Sequence, residues 1–231
     1  MSDANEANNK VVATAEGLTS DAFHRLLDLA ITGRGKLPGA RTIANNQLRQ
    51  RHNHEDAIRW LSNQHIALAS GQGFATNWGG LLLSLVTIPA NMAAAAFIQA
   101  RAVAVIAHLR GYELDDPRVR TAILMVMLGP RGSAALIAAG DLPSSAAAVA
   151  TAPAFDPHLD SRVSRALLEQ SMNQVGGKRL GVFLAKKVPL VGGGVGAVVD
   201  GWSTHSIIQY AQEQFLSRRP RTTGYAVIVE D

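Results

Sequence analysis

The residues able to do chemistry in this sequence are few, and most stand where a helix would use them for its own ends. RHNHED (51–56) offers His52, His54, Glu55 and Asp56, with His65 further on. Metal ligands on one helix face stand three or four residues apart. His52 and Asp56 meet that spacing; His54 and His65 do not. At a helix start, Asn53, Glu55 and Asp56 are explained by capping and by the helix dipole. VGGGVG (191–196) invites comparison with a phosphate loop, but no Lys-Ser/Thr pair follows it. Asp200, Ser203 and His205 crowd one helix; positions 200 and 203 share a face, but Asp200 and His205 point apart, and no Gly-x-Ser-x-Gly elbow exists. Asp115 and Asp116 stand directly before Pro117, which makes Asp116 an N-cap rather than half of an acid pair. The chain has no cysteine, which excludes disulfides, thiolate zinc sites and thiol nucleophiles. On these residues no catalytic group, cofactor or metal site is expected.

Polar residues inside apolar stretches say more. Arg101 and His108 lie seven apart, hence on one face of QARAVAVIAHLRG, and Asp200 lies in a small-residue helix. A lone buried charge is costly, so it is neutralised or paired. The expectation is that Arg101 and Asp200 approach each other and tie two apolar helices together. An enzyme built here would instead need Arg101, His108, Asp116 and Asp200 to converge in one cleft.

The elements that must position these residues read as all-α. Residues 1–19 form a polar tail, and Ser20 or Asp21 caps a first helix with Phe23, Leu26, Leu27 and Ala30 at helical spacing. TGRGKLPG breaks it, and a polar second helix, roughly 40–51, reads as an exposed connector. A longer helix runs from His54 to about Ala75, with Ile58, Leu61, His65, Leu68 and Ala69 on one stripe. Gly111 ends the Arg101 helix as a C-terminal glycine cap. Residues 140–158 read as an Ala/Ser/Pro linker, and TGYAVIVED (223–231) as a tail or short strand. The fold class is a compact helical bundle around two Gly/Ala-rich apolar helical hairpins, one domain over 20–218 between tails 1–19 and 219–231.

One segment governs the setting. Arg59 is the last charge before Arg101, and GGLLLSLVTIPANMAAAAFIQA (79–100) is long enough for the ~20 residues of a membrane span. Its quality as a span is poor. Leu81, Leu82, Leu85 and Ile88 crowd the first half, Pro89 removes a backbone donor, and Asn91 and an alanine run follow. The second apolar segment, VPLVGGGVGAVV (188–199), is of core or re-entrant length, and Gly192 and Gly196 keep the small-xxx-small spacing of close helix contacts. Bundle core, re-entrant hairpin and span are the three readings, in that order.

GYELDDPRVR (111–120), Ile-Pro before a small-residue helix and KKVPLVGGGVG (186–196) followed by Asp200 together resemble the bacterial EcsC family, over roughly residues 55–217. The family is named for a gene beside an ABC-transporter ATPase and its membrane subunit. The resemblance implies a cytoplasmic or membrane-associated protein, with a membrane surface or a membrane protein, such as an ABC transporter, as partner; it supplies no catalytic residues. Asn91 departs from the pattern, where the family is expected to carry Asp.

Charge fits that setting. Charged residues make up 17% of the chain, below the ~25% of ordinary domains. The net charge is +4. Lys178, Arg179, Lys186 and Lys187 flank the second apolar segment and are the candidate contacts for anionic lipid, an ordinary solvated surface being the other reading of such basic clusters. No basic stripe interleaved with aromatics supports nucleic acid as a partner. The N-terminus has acidic and amide residues where a secretion signal needs basic then apolar ones. The expected function is therefore a non-enzymatic, membrane-associated helical protein, peripheral or re-entrant on the cytoplasmic face. A soluble module holding an apolar ligand, or an enzyme of unknown reaction, are the alternatives.

Overall fold

DDPRVR shows how local chemistry sets a helix start. Asp116 has extended backbone, its carboxylate accepts from the Arg118 N–H at 2.9 Å, and Pro117 follows in the first turn. The helix it opens runs Pro117–Met127. Its carboxyl is held below the usual carboxylate range, chiefly by the hydrogen bond from the Arg118 side chain. Asp116→Ala should lower stability by about 1 kcal/mol, the usual loss for an N-cap; thermal unfolding followed by circular dichroism reads it.

The computed structural model describes residues 20–35, 37–51, 53–70, 90–185 and 192–218, with side chains not described at 20–21, 70, 90–92 and 172–202. In chain order the described elements are α1 Ser20–Thr32, β1 Gly33–Arg34, β2 Leu37–Pro38, α2 Ala40–Arg51, α3 His54–Ser70, α4 Ala90–Leu109, α5 Pro117–Met127, α6 Gly129–Ala138, α7 Ala146–Ala150, α8 Pro157–Ala185 and α9 Gly192–Gln214. The fold is all-α, as expected, apart from the β1–β2 antiparallel ladder of two residues each.

α4 is the centre. Helices α1, α2, α3, α5 and α9 all pack on it, and every residue from Ala100 to Ala107 is buried. A helix apolar on all sides is stable in water only when enclosed. Its buried alanines (93, 94, 100, 102, 104 and 107) let neighbours approach closely, while Phe97, Ile98, Val103, Val105, Ile106 and Leu109 contribute about 1.5–3 kcal/mol each through burial. The helix closes at Gly111, whose φ is 89°. Gly111 N–H donates to His108 O and Tyr112 N–H to Ala107 O, both at 3.0 Å, the paired bonds of a Schellman ending.

The polar α2 is more than a connector, because Ala40 and Ala44 are buried and the helix lies on α4. The α3 stripe is as read: Ile58, Leu61 and His65 are buried, and Leu68 and Ala69 pack against the core. Within 140–158, α7 packs against α5 and buries Ala146, Val149 and Ala150. No single helix among the described residues is long and apolar enough to cross a membrane. α5 and α6 could do so only as a pair bent by 106°, and Thr121 to Leu128 of that pair are buried in protein.

Candidate functional site

Polar contacts between helices fix their directions. Glu55 meets Arg110 at 2.9 Å and His65 meets Arg101 at 3.2 Å, so α3 and α4 are antiparallel. Gln99 faces Ser203 and Thr204 at 3.5 and 3.4 Å, and Arg110 faces Gln212 and Phe215, so α9 runs parallel to α4. α9 is antiparallel to α3 by the same logic, since Gln212 reaches Ser62 at 3.4 Å. α5 opposes α9: a Cβ on Gly129 would stand 3.8 Å from Ile207, while the N–H of Ala146, on the helix packed along α5, donates to the Gln214 side chain. α8 follows α5, with Thr121 on Asp160 at 2.6 Å and Gln170 on Leu128 O at 3.2 Å. The end of α3, the start of α4, the end of α8 and the start of α9 therefore gather at one end of the bundle. The opposite end carries Arg110.

Inside the core lies a buried His65–Arg101 pair. His65 is 1% exposed and Arg101 5%. Arg101 Nε–H donates to His65 Nε2, which leaves the ring proton on Nδ1, donated to Leu61 O at 2.7 Å. Burial, reinforced by the Arg101 charge, lowers the His65 pKa to about 4 despite the backbone bond. Burial also lowers Arg101 to about 10. The guanidinium lies 5.0 Å from the centre of the Phe97 ring, back toward the start of α4 as helix geometry dictates.

The other sequence candidates disperse. His108 is 3.3 Å from Asn45 on α2, and Asp116 caps α5 while Asp115 meets Arg41 at 2.7 Å; neither joins Arg101. Asp200 lies on α9, and Gly192 and Gly196 near its start; the Asp200 side chain is outside the described residues. Lys178 and Arg179 lie near the end of α8, with side chains likewise outside. Leu81, Leu82, Leu85, Ile88, Pro89, Lys186 and Lys187 are outside the described residues altogether. No group of three metal-ligating side chains occurs among the described residues.

Two clusters are invisible to sequence reasoning. The first joins α1, α5 and α8. His24 Nε2 stands 3.1 Å from Asp160 Oδ2 and 3.0 Å from Ser164 Oγ, and Thr121 donates to the same carboxylate. Burial pushes the Asp160 carboxyl up, but the bonds from His24 and Thr121 and the nearby positive charges outweigh it and hold it low. A catalytic relay needs acid and serine on opposite ring nitrogens; here both meet Nε2, and Ser164 is fully buried. The cluster is a tie between helices. The second is Arg110, which donates to Gln212 O at 2.9 Å, Phe215 O at 3.0 Å and Glu55.

An apolar groove of about 210 Å³ opens between α5, α7 and the start of α8, walled by Arg118, Thr121, Val149, Phe155 and Leu159 among others. It lies apart from the His65–Arg101 pair, which sits between α3 and α4.

The EcsC protein family matches residues 5–219, a wider span than the 55–217 read from its phrases. No curated protein and no solved structure matches the chain.

Proposed function

The chain belongs to the EcsC family, and from that premise we propose that it is a non-enzymatic membrane-associated protein of the cytoplasmic face, which meets a bilayer or a membrane-transport partner with one end of its bundle. The observation that carries this reading is the helix register. Residues 71–89 join the end of α3 to the start of α4, and 186–191 join the end of α8 to the start of α9. Both apolar stretches, LLLSLVTIP (81–89) and VPLVGGG (188–194), thus attach to the same end, and Lys178, Arg179, Lys186 and Lys187 stand beside the second. Apolar segments rimmed by cations suit an anionic headgroup layer.

Depth follows from the same register. Ala93–Leu109 is enclosed by other helices, so it is not available to lipid. The end of α3 and the start of α4 stand at the same end of the bundle, so a span between them would need two crossings, and a single crossing takes ~20 residues. That favours a shallow or re-entrant contact over a span. Arg101, His108 and Asp116 each have separate structural partners, which supports a role without catalysis.

Flotation with vesicles of neutral lipid, or of neutral lipid plus an anionic phospholipid, tests the proposal. The chain should rise with the anionic vesicles at low salt and be released at about 0.5 M salt, where the screening length falls to a few ångströms. Exchanging all four basic residues for glutamine should weaken binding at least tenfold, given about 1 kcal/mol per cation. A chain that stays at the bottom with both vesicle types at low salt ends the bilayer reading and leaves a membrane protein as the required partner.

A further inference from the structure

The groove between α5, α7 and α8 lies away from the end assigned to membrane contact. Val149 and Leu159 are buried within it, and Ala148 lies exposed on its wall. Phe155 on its rim is 40% exposed, an uncommon state for so large an apolar side chain in this chain. The Arg118 guanidinium is already committed to Asp116 and to Ala152 O, and the Asp156 carboxylate accepts from the His158 and Leu159 N–H groups at the start of α8, so the groove offers apolar surface rather than a free charge. Its occupant should therefore be apolar.

The position of the C-terminus supplies a candidate. Gln214 Oε1 at the end of α9 accepts from the Ala146 N–H at 3.0 Å, and Ala146 is two residues from Ala148 and three from Val149 in the groove wall. Beyond it Arg218 N–H donates to Arg110 O at 2.9 Å, and the Arg218 guanidinium lies 5.3 Å from the centre of the Tyr112 ring. It is close enough to Asp116, the partner of Arg118, to act on its carboxyl. The described chain thus ends beside the groove, with residues 219–231 still to follow. Those residues span up to about 40 Å when extended. They read RPRTTGYAVIVED, with Tyr225 to Val229 uncharged and almost wholly apolar.

We propose that the groove is a docking site for the chain's own C-terminal segment, with Ala226–Val229 covering Val149, Phe155 and Leu159. The segment shields Phe155, which otherwise faces water, and fills the groove floored by Val149 and Leu159, at no translational cost because it is tethered. This inference is independent of the membrane reading.

The absence of cysteine makes the test direct in the full chain. A variant carrying Ala148→Cys and Ile228→Cys should form an intramolecular disulfide under mild oxidation. It should do so at least about tenfold faster than a control pairing Ile228→Cys with Asn63→Cys on α3, because docking raises the local thiol concentration. Both Ala148 and Asn63 are exposed, so the two pairs differ in place rather than in access. Adding Phe155→Asp should abolish that advantage, with circular dichroism confirming that the variant is folded. Peptide mapping and non-reducing electrophoresis separate the outcomes. Equal rates for the two pairs, or cross-links formed only between chains, would overturn the proposal, the latter pointing to a second copy as the occupant.

Discussion

Exchanging His65 for leucine should cost about 3 kcal/mol of stability, and exchanging Arg101 for methionine a similar amount, with the double variant losing clearly less than the sum. Each single change strands a buried partner: Arg101 Nε–H loses its acceptor, or His65 Nε2 its donor. Breaking a buried charged pair from one side costs roughly 3–5 kcal/mol, whereas apolar replacement of both sides is often close to neutral. Urea unfolding of the three variants gives the coupling directly; strictly additive losses would mean that the 3.2 Å contact carries no energy.

The same histidine sets part of the acid limb. Its folded pKa, about 4, lies below its ordinary 6.5. Between those values the unfolded chain binds a proton that the folded chain refuses, so stability is complete above pH 6.5 and falls as the pH drops toward 4. The shift corresponds to about 3 kcal/mol, and His65→Leu should flatten that part of the pH profile. The Arg101–Asp200 pairing expected from the sequence fits the same series. Asp200→Asn added to Arg101→Met should recover stability if the carboxylate is a second partner of Arg101; no recovery removes that pairing.

What can be read from the sequence is local. Asp116-Pro117, the ending at Gly111 and the stripe Ile58-Leu61-His65 each depend on residues within a turn or two, and each stands where the spacing puts it. Contacts between distant residues leave no such trace. His24 and Ser164 are 140 positions apart, and Arg110 and Phe215 are 105 apart, so no periodicity links them. The polar α2 reads as a mere connector because its buried face consists of small residues, Ala40 and Ala44, which weigh little in any apolar pattern. The uncharged run raises a different difficulty. Lipid and a protein core are both apolar, so composition alone does not distinguish a membrane helix from a central one. What separates them for Ala93–Leu109 is the set of five helices around it, a fact of topology.

Arg110 decides whether the far end of the bundle stays closed, and Arg110→Met should cost about 3 kcal/mol. Its guanidinium is 13% exposed and satisfies two carbonyls at the end of α9, Gln212 O and Phe215 O. Those carbonyls have no helical partner of their own and carry the negative end of the helix dipole, so a cation there is favourable twice over. Hydrogen bonds to a charged group contribute about 1.5–3 kcal/mol each. The bond to Glu55 counts for less, because that side chain is 54% exposed and such pairs contribute at most about 1 kcal/mol. Glu55→Gln should accordingly be mild, and Arg110→Lys intermediate, since one ammonium cannot reproduce the fork that reaches α3 and α9 together. Loss of the clamp should also free the segment that follows α9. Arg218 N–H is bonded to Arg110 O, and Phe215 packs edge-on against Tyr112 with ring centres 5.0 Å apart. In Arg110→Met, amide exchange at Phe215 and Arg218 should accelerate well beyond that of α5, while in Glu55→Gln it should not. Uniform acceleration across both helices would indicate general loosening and remove the assignment of Arg110 as the clamp of α9.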